Sequence, residues 1–348
     1  MTDGTLAIDR PTIDPTPIFE LYRGVYGSEL LTAAVAHFDV FGRLARQPQT
    51  RQQLATSLQL SERATSVLTT ALLAMGFLKH GSQQQLELTE LAAEHLVPGA
   101  AFDVGSYIGL AATSPGVLEM VERLKTSRPA NHDTDGAAFI FRSGMKSAMD
   151  KSLLAQHFTL ALSGRAKNVA PYLADAVSLD GCSTLLDVGG GTGIYSIGLL
   201  KKNPALTAVV MDHPEVLKTA RQFAEEYEIG DRMSLLAGDM FTSELPKSDV
   251  VLLSNILHDW DVSECQTLVQ RCVDALNPGG RLLIHDVLLN DELTGPLPIA
   301  LYSAALFTLT EGRAYSAAEY SSWMTEAGLS VSSPVPTLVH CHVISGQK

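Results

Sequence analysis

Three acidic residues follow successive apolar segments in the C-terminal half of the chain. Asp187 opens the run Asp187–Gly193, in which positions 189, 190, 191 and 193 are glycine. Glycine lets the backbone turn tightly and lets a ligand approach the main chain, and a following helix offers free N–H groups. An acid after the next strand can accept hydrogen bonds from both ribose hydroxyls. We therefore predict a nucleotide-like ligand held by Asp187, Gly189, Gly191, Asp212, Asp239 and Met240, with Ser254 ending the fourth strand.

A histidine and its neighbours stand just after that fourth strand, in the segment Asn255–Trp260. An imidazole can take a proton from a hydroxyl near neutral pH, so His258 is a candidate general base. A structural histidine is the alternative from position alone. His258, Asp259 and His285 also suggest an iron site, but strand alternation turns His285 away from Asp286. We therefore predict no bound metal.

An alternation of strands and helices from Cys182 onward positions these residues. Apolar runs and turn signals predict the strands Thr184–Val188, Ala208–Met211, Met233–Ala237, Val250–Ser254, Arg281–Leu288 and Val339–Ser345. They predict the helices Gly193–Lys202, Glu215–Tyr227, Glu264–Leu276 and Ala317–Ala327. Such alternation favours an α/β domain with a Rossmann-like parallel sheet. His340 and His342 are expected on the terminal strand as structural residues.

The first third of the chain reads as helices followed by a hairpin. A helical period covers Ile18–Phe41, a short helix covers Arg51–Leu58, and Ser61 caps a helix through Met75. Strands Phe77–His80 and Leu86–Thr89 then complete a winged-helix order. This order invites a DNA-binding interpretation. The region is close to neutral, however, and Arg63 is the sole base on the recognition helix, so dimerisation or a lid role is favoured.

Between these regions, the stretch Ser114–Asp135 reads as loose, and helical periodicity returns from Ala137 to Leu179. Apolar side chains here and near Leu301–Leu309 suit a flat aromatic acceptor, although core packing explains each equally well. The candidate acceptor residues are Phe141, Met145, Met149, Phe158, Asp259 and Phe307.

Composition narrows the class of protein further. The net charge of −13 disfavours nucleic acid as a partner, because phosphate binding needs concentrated Lys and Arg. The sequence contains no run of about 18 uncharged apolar residues, so no membrane-spanning helix is predicted. The polar N-terminus lacks the features of a signal peptide, so we expect a cytoplasmic protein. The four cysteines are scattered, which favours reduced thiols.

The position of Asp187 relative to the glycines distinguishes a NAD site from another class of nucleotide-like ligand site. A NAD site usually has Gly-x-Gly-x-x-Gly, whereas here an acid precedes the glycines as Asp-x-Gly-x-Gly-x-Gly. This order resembles motif I of class I S-adenosylmethionine (SAM)-dependent methyltransferases. With Gly238–Phe241, His258–Trp260 and the N-terminal pattern, the chain resembles the small-molecule O-methyltransferases of the caffeate, acetylserotonin and antibiotic-tailoring type along nearly its whole length.

That resemblance implies SAM as cofactor, an intertwined homodimer, a seven-stranded catalytic sheet and a small aromatic or polyketide-like acceptor. It implies His258 as the base and Asp286, 28 residues later, as its orienting carboxylate. The family's second carboxylate is replaced here by Ala314, and Glu311 is an upstream substitute or a solvated loop acid. C-methylation, altered SAM chemistry and a ligand-sensing regulator stay open. The implied segments are 16–105 for dimerisation, 106–180 for a helical linker and 181–348 for the methyltransferase domain.

Overall fold

The structure is a computed structural model that describes residues 8–129 and 152–348. Chain contacts divide these residues into two units. The sheet unit comprises residues 8–17, 152–288 and 317–348, and the helical unit comprises residues 18–129 and 289–316. The helical unit therefore takes a late segment of the chain, whereas three consecutive segments are expected from the sequence.

The described helices and strands are numbered here in chain order. The helices are α1 (Thr16–Arg23), α2 (Gly27–Thr32), α3 (Val40–Arg46), α4 (Arg51–Leu58), α5 (Glu62–Ala74), α6 (Glu90–His95), α7 (Gly105–Ile108), α8 (Pro115–Thr126), α9 (Ser152–Ala176), α10 (Ile194–Lys202), α11 (Pro214–Glu226), α12 (Val262–Ala275), α13 (Leu297–Leu309) and α14 (Ala317–Glu326). The strands are β1 (Gln49–Thr50), β2 (Leu78–His80), β3 (Gln85–Leu88), β4 (Thr184–Val188), β5 (Thr207–Asp212), β6 (Met233–Ala237), β7 (Ser248–Ser254), β8 (Leu276–Leu289), β9 (Tyr315–Ser316), β10 (Ser330–Val331), β11 (Val335–Pro336) and β12 (Cys341–Gln347).

The sheet unit is built on strands in the order β10-β12-β8-β7-β4-β5-β6, with β11 also pairing with β12. Strands β6, β5, β4, β7 and β8 are parallel, whereas β12 runs antiparallel to β8. The chain moves from β4 to β5 on one side, and β7 lies on the other side. Ligands of such sheets bind outside the carboxyl ends of the strands at this reversal. The fold is thus the expected Rossmann-like α/β class, and it presents the end of β4 as the binding position.

The helical unit confirms the winged-helix order. Strands β2 and β3 follow α5 as an antiparallel hairpin, and β1, which precedes α4, pairs with β3 to complete a small antiparallel sheet. Ser61 caps α5 as predicted, with its hydroxyl accepting a hydrogen bond from Ala64 N at 3.1 Å. Every α5 residue from Arg63 to Leu73 is buried.

The buried α5 is unsuited to reading DNA. Arg63, its one basic side chain, donates hydrogen bonds to the carbonyl oxygens of Thr310 and Gly312, each at 3.3 Å. Its guanidinium also contacts Ser127 and covers the ring of Phe307 at 4.8 Å. Arg63 is therefore committed to packing within the helical unit and does not present its charge to phosphate.

Three sequence predictions need correction. The stretch expected to be loose contains α8, because Pro115 stands in the first turn, where a missing N–H costs nothing, and Val117, Met120, Val121 and Leu124 form one buried face. Strand β8 begins at Leu276, so Gly279 and Gly280 lie within the strand and do not precede it. His340 lies in a turn with φ of +61°, before β12.

Among the described residues, none of the helices is long and apolar enough to cross a membrane.

Candidate active site

The glycine run connects β4 to α10 through a backbone that requires glycine. Gly189, Gly191 and Gly193 have φ values of +69°, +59° and +72°. A Cβ on Gly189 would lie 2.5 Å from Ile256 Cδ1, and one on Gly190 would lie 2.7 Å from Val210 Cγ1. Larger residues would thus clash at the first two positions and strain the backbone at the third. We call the turn formed by residues 189–193, directly before α10, the cradle; no atom lies within 4 Å of the position of a Cβ on Gly191.

Asp187 is buried beneath this turn. Its Oδ2 accepts a hydrogen bond from the Ser196 hydroxyl at 2.6 Å, and its Oδ1 has no hydrogen-bond partner among the described residues. Burial, and to a smaller extent the charge of Asp212, raises the pKa of Asp187 to about 7 against the effect of Ser196. A buried acceptor without a donor is costly, so a polar ligand at this turn would relieve it.

Asp212 ends β5 beside the same turn. Its Oδ2 accepts a hydrogen bond from Gly191 N at 2.8 Å, and its Oδ1 accepts one from His213 N at 2.6 Å. Burial raises the pKa of this carboxyl group against these two donors. The contacts fix the carboxylate at the cradle's edge, where a ribose is expected.

The third strand-end acid, Asp239, is part of a tight turn. Its carboxylate accepts hydrogen bonds from Phe241 N at 2.8 Å and from the Thr242 hydroxyl at 3.1 Å. The neighbouring Met240 is half-buried, and its carbonyl accepts a hydrogen bond from Arg271 at 2.8 Å. The turn by itself accounts for an acid at position 239, and an adenine contact stays a prediction.

Ser254 belongs to a buried hydrogen-bond chain. Its hydroxyl lies 2.8 Å from His285 Nδ1, and His285 Nε2 lies 3.1 Å from the Thr337 hydroxyl. Burial lowers the pKa of His285 to about 3, so the ring is neutral. Both ring nitrogens are occupied, and in residues 8–129 and 152–348 no three His, Cys, Asp or Glu side chains form a group that could hold a metal ion.

His258 lies on a single helical turn, Leu257–Asp259, directly after β7. The thiol of Cys265 on α12 donates a hydrogen bond to the Leu257 carbonyl at 3.1 Å and holds this turn. His258 Nδ1 is 2.6 Å from Asp286 Oδ1, and both side chains are buried. With Asp286 ionised, Nδ1 carries the proton and its N–H group donates a hydrogen bond to the carboxylate. Nε2 is thereby left as the basic nitrogen.

The charges around His258 favour its protonated form. Burial lowers the pKa of His258, but the carboxylates of Asp286 and Asp259 together outweigh burial and raise the pKa above 6.5. For Asp286, burial acts upward, yet the charge and hydrogen bond of His258 hold the pKa below 3.8. The His258 imidazole is therefore paired with an ionised carboxylate, which makes it more basic.

Asp259 lies on the other side of the imidazole. Its Oδ1 is 3.7 Å from His258 Nε2. Burial raises the pKa of Asp259 to about 6, although the charge of His258 acts in the opposite direction. The carboxyl group of Asp259 thus lies next to Nε2 of His258.

Arg165 on α9 is a charged neighbour that sequence reasoning missed. Its guanidinium contacts the hydroxyl of Tyr195, a tyrosine whose pKa burial raises to about 12. Its positive charge also acts on His258, Asp259 and Asp286. No motif or spacing marks Arg165 in the sequence, because its proximity depends on how α9 packs in the sheet unit.

The predicted acceptor residues that the structure describes belong to both units, Phe158 and Asp259 to the sheet unit and Phe307 to the helical unit. Phe158 is half-buried and packs against Ala155 and Val216. Phe307 is fully buried in the core of the helical unit, under Arg63, and this packing accounts for it without an acceptor. Phe141, Met145 and Met149 lie outside the described residues. Of the predicted set, Asp259 is the residue placed beside His258.

Comparison with known proteins supplies independent findings. The family model for an O-methyltransferase domain matches residues 130–330. The chain is 34% identical over 319 residues to a 3-hydroxy-5-methyl-1-naphthoate 3-O-methyltransferase of Streptomyces sahachiroi, covering 91% of this chain and 90% of the relative.

Two solved structures are similar over nearly the full length. A crystal structure of an O-methyltransferase family 2 protein from Planctomyces limnophilus in complex with apigenin is 45% identical, with a TM-score of 0.89 and 99% coverage of both chains. Human N-acetylserotonin methyltransferase in complex with SAM is 22% identical, with a TM-score of 0.60 and coverage of 98% and 99%. The second similarity concerns the fold alone.

Proposed function

The chain belongs to the family of SAM-dependent small-molecule O-methyltransferases, and we propose that it methylates a hydroxyl group of a flat aromatic acceptor with His258 as the general base. It is an enzyme, and SAM is its methyl donor. The observation that carries the proposed mechanism is the buried 2.6 Å contact between His258 Nδ1 and Asp286 Oδ1.

The cradle fits SAM. We assign to Gly189 and Gly191 the positions where SAM approaches the main chain. We assign the ribose of SAM to Asp212 and its adenine to Asp239 and Met240. Asp187 is buried beneath the turn and supports it. The unpartnered Oδ1 of Asp187 and the open space beside Gly191, where no atom lies within 4 Å of the position of a Cβ, support this assignment. When bound, SAM supplies a methyl group on a positively charged sulfur, which leaves as a neutral thioether after attack by the acceptor oxygen.

His258 would remove the acceptor's proton at Nε2. A protonated phenol is a poor nucleophile, and a positioned base contributes about 10²- to 10⁴-fold in rate. The resulting imidazolium is stabilised by Asp286, which receives the Nδ1–H hydrogen bond. Asp259, 3.7 Å from Nε2, marks where the acceptor hydroxyl would bind. The proton therefore moves along a defined path from the acceptor oxygen to Nε2.

We infer the acceptor class from two relatives. The Streptomyces sahachiroi relative is named for a hydroxynaphthoate, and the Planctomyces limnophilus structure contains apigenin. Both molecules are planar aromatics with ring hydroxyls. We extend this chemistry to the present chain as a fused-ring or flavone-like phenol.

The direct test uses SAM with a ¹³C-labelled methyl group and a panel comprising a hydroxynaphthoate, apigenin and a simple phenol. Each compound is paired with its methyl ether, in which the reactive oxygen is blocked. The expected product carries the label on oxygen, and the blocked partners stay unlabelled. Label on carbon, or SAM binding without S-adenosylhomocysteine from any member, would contradict the proposed reaction.

A homodimer is the second part of the proposal. The helical unit exposes large apolar side chains that a monomer would leave in water: Ile18 (71%), Leu21 (84%), Tyr22 (78%), Tyr107 (78%) and Leu110 (79%). Exposed apolar side chains of this kind are typical of interfaces, and a second copy is the occupant we propose. Light scattering after gel filtration is expected to give twice the chain mass, and Leu21→Glu with Tyr107→Glu to give a monomer. A wild-type monomer at micromolar concentration would refute the dimer.

A regulator that binds DNA is not supported, because α5 is buried and Arg63 contacts carbonyl oxygens of the same unit. The cytoplasmic location stays a prediction.

A further inference from the structure

Asp286 is held from both sides. Its Oδ1 accepts hydrogen bonds from His258 Nδ1 at 2.6 Å and from Val287 N at 2.8 Å. Its Oδ2 accepts a hydrogen bond from the hydroxyl of Tyr320 at 3.0 Å. Both carboxylate oxygens of Asp286 are thus engaged.

Tyr320 is fixed by its own surroundings. It lies on α14 and is fully buried, and its ring meets Trp323 edge-to-face at 5.5 Å between centroids. A hydroxyl at the end of a packed aromatic ring has little freedom, so its hydrogen bond has a defined direction. Tyr320 therefore limits rotation of the Asp286 carboxylate about its terminal torsion.

We propose that Tyr320 is a positioning residue for the base, which fixes the Asp286 carboxylate through its hydrogen bond to Oδ2. The inference rests on the proposed function, because it assumes that His258 accepts the acceptor's proton. Tyr320 does not touch the reacting atoms. It acts through Asp286, which in turn orients the imidazole.

The hydrogen bond also sets the basicity of the pair. A donor on Oδ2 draws negative charge away from Oδ1 and weakens the attraction of the carboxylate for the imidazole N–H. Without the hydrogen bond from Tyr320, the Asp286 carboxylate would attract the Nδ1–H group of His258 more strongly, and Nε2 would become more basic. Within residues 8–129 and 152–348, the other titratable or charged groups that act on the pair are Asp259, Arg165 and His285. All of them remain when Tyr320 is changed.

The test is Tyr320→Phe, which keeps the ring and removes the hydroxyl. We expect kcat to fall about tenfold, as for the loss of a hydrogen bond to a charged group. We expect the acidic limb of the pH profile of kcat/KM to move up by about half a unit. The dissociation constant of SAM should stay unchanged. Tyr227→Phe is the matched control, because Tyr227 is also a buried tyrosine of the sheet unit but stacks on Phe223.

A second variant covers the case in which Tyr320→Phe does not fold. Site-specific 3-fluorotyrosine at position 320 preserves the packing and makes the hydroxyl a stronger donor, so the acidic limb should move down. A purely structural Tyr320 would lower the melting temperature of the phenylalanine variant and leave kcat and the limb as in the wild type, and that result overturns the inference. If the wild-type profile has no acidic limb at all, His258 is not the base, and the proposed mechanism fails instead.

Discussion

Replacement of Asp286 by asparagine tests the pair at the centre of the site. The side chain keeps its size, but the charge that receives His258 Nδ1–H at 2.6 Å is lost. The amide can also present its NH₂ group to Nδ1, which would place the proton on Nε2, where the acceptor needs a base. Since a general base contributes about 10²- to 10⁴-fold, we expect kcat to fall by about 10²- to 10³-fold.

The same substitution should also shift the pH dependence of kcat/KM in a defined direction. In the wild type, the pKa of His258 lies above 6.5, so kcat/KM falls as the pH decreases through that raised value. Without the carboxylate at position 286, burial dominates and the pKa of His258 falls. The acidic limb of the kcat/KM profile of Asp286→Asn should therefore lie at lower pH than that of the wild type. The ratio of wild-type to variant kcat/KM should become smaller as the pH is lowered.

Stability must be separated from chemistry in this experiment. Breaking a buried charged pair costs about 3–5 kcal/mol of unfolding free energy, so urea denaturation is measured in parallel. Asp249→Asn is the control, because Asp249 accepts hydrogen bonds from Ser183 N and from Asn277 at the opposite end of β7. The control should lose stability and keep kcat. The reasoning is refuted if Asp286→Asn keeps wild-type kcat and the wild-type acidic limb.

Three further predictions concern the cradle and the helical unit. Gly189→Ala should weaken SAM binding in calorimetry more than Gly191→Ala, because both substitutions strain a backbone with positive φ but only the Cβ at position 189 would also displace a side chain, that of Ile256 at 2.5 Å. Equal affinities for the two variants would contradict the cradle. Asp212→Ala should raise the dissociation constant of SAM about 10- to 100-fold through loss of charged hydrogen bonds, and an unchanged constant would remove the ribose role. Arg63→Met should lower the unfolding free energy by about 2–4 kcal/mol in urea, because carbonyl oxygens lose their donors, and an unchanged midpoint would show that these contacts contribute nothing.

Local sequence signals predicted the elements that carry the cofactor site. The run Thr184–Val188 is a strand with the predicted bounds, and the glycines leave it toward α10 as expected. Apolar period and turn chemistry suffice here, because the parallel strands are buried on both faces. The stretch that contains α8 is predicted from the sequence to be loose, but Pro115 stands in the first turn of this helix, where proline is favoured, and not in the interior, where it would stop a helix.

The partners of the base were only partly predictable. His258 and Asp286 follow from the motif and the family resemblance, which place them at the ends of neighbouring strands. Tyr320 lies 34 residues beyond Asp286 on a helix, and no spacing rule relates the two positions. Arg165 likewise depends on the packing of α9. Contacts of this kind arise from tertiary structure, which a pattern along the chain does not encode locally.

His258→Gln in the labelled-methyl assay tests the central claim most directly. The substitution removes the base and leaves the glycine cradle and Asp212 intact, so the dissociation constant of SAM should equal that of wild type. Under saturating SAM and the best acceptor of the panel, we expect kcat to fall by about 10²- to 10⁴-fold. A folded His258→Gln enzyme that binds SAM normally and transfers methyl to oxygen at the wild-type rate would contradict the account.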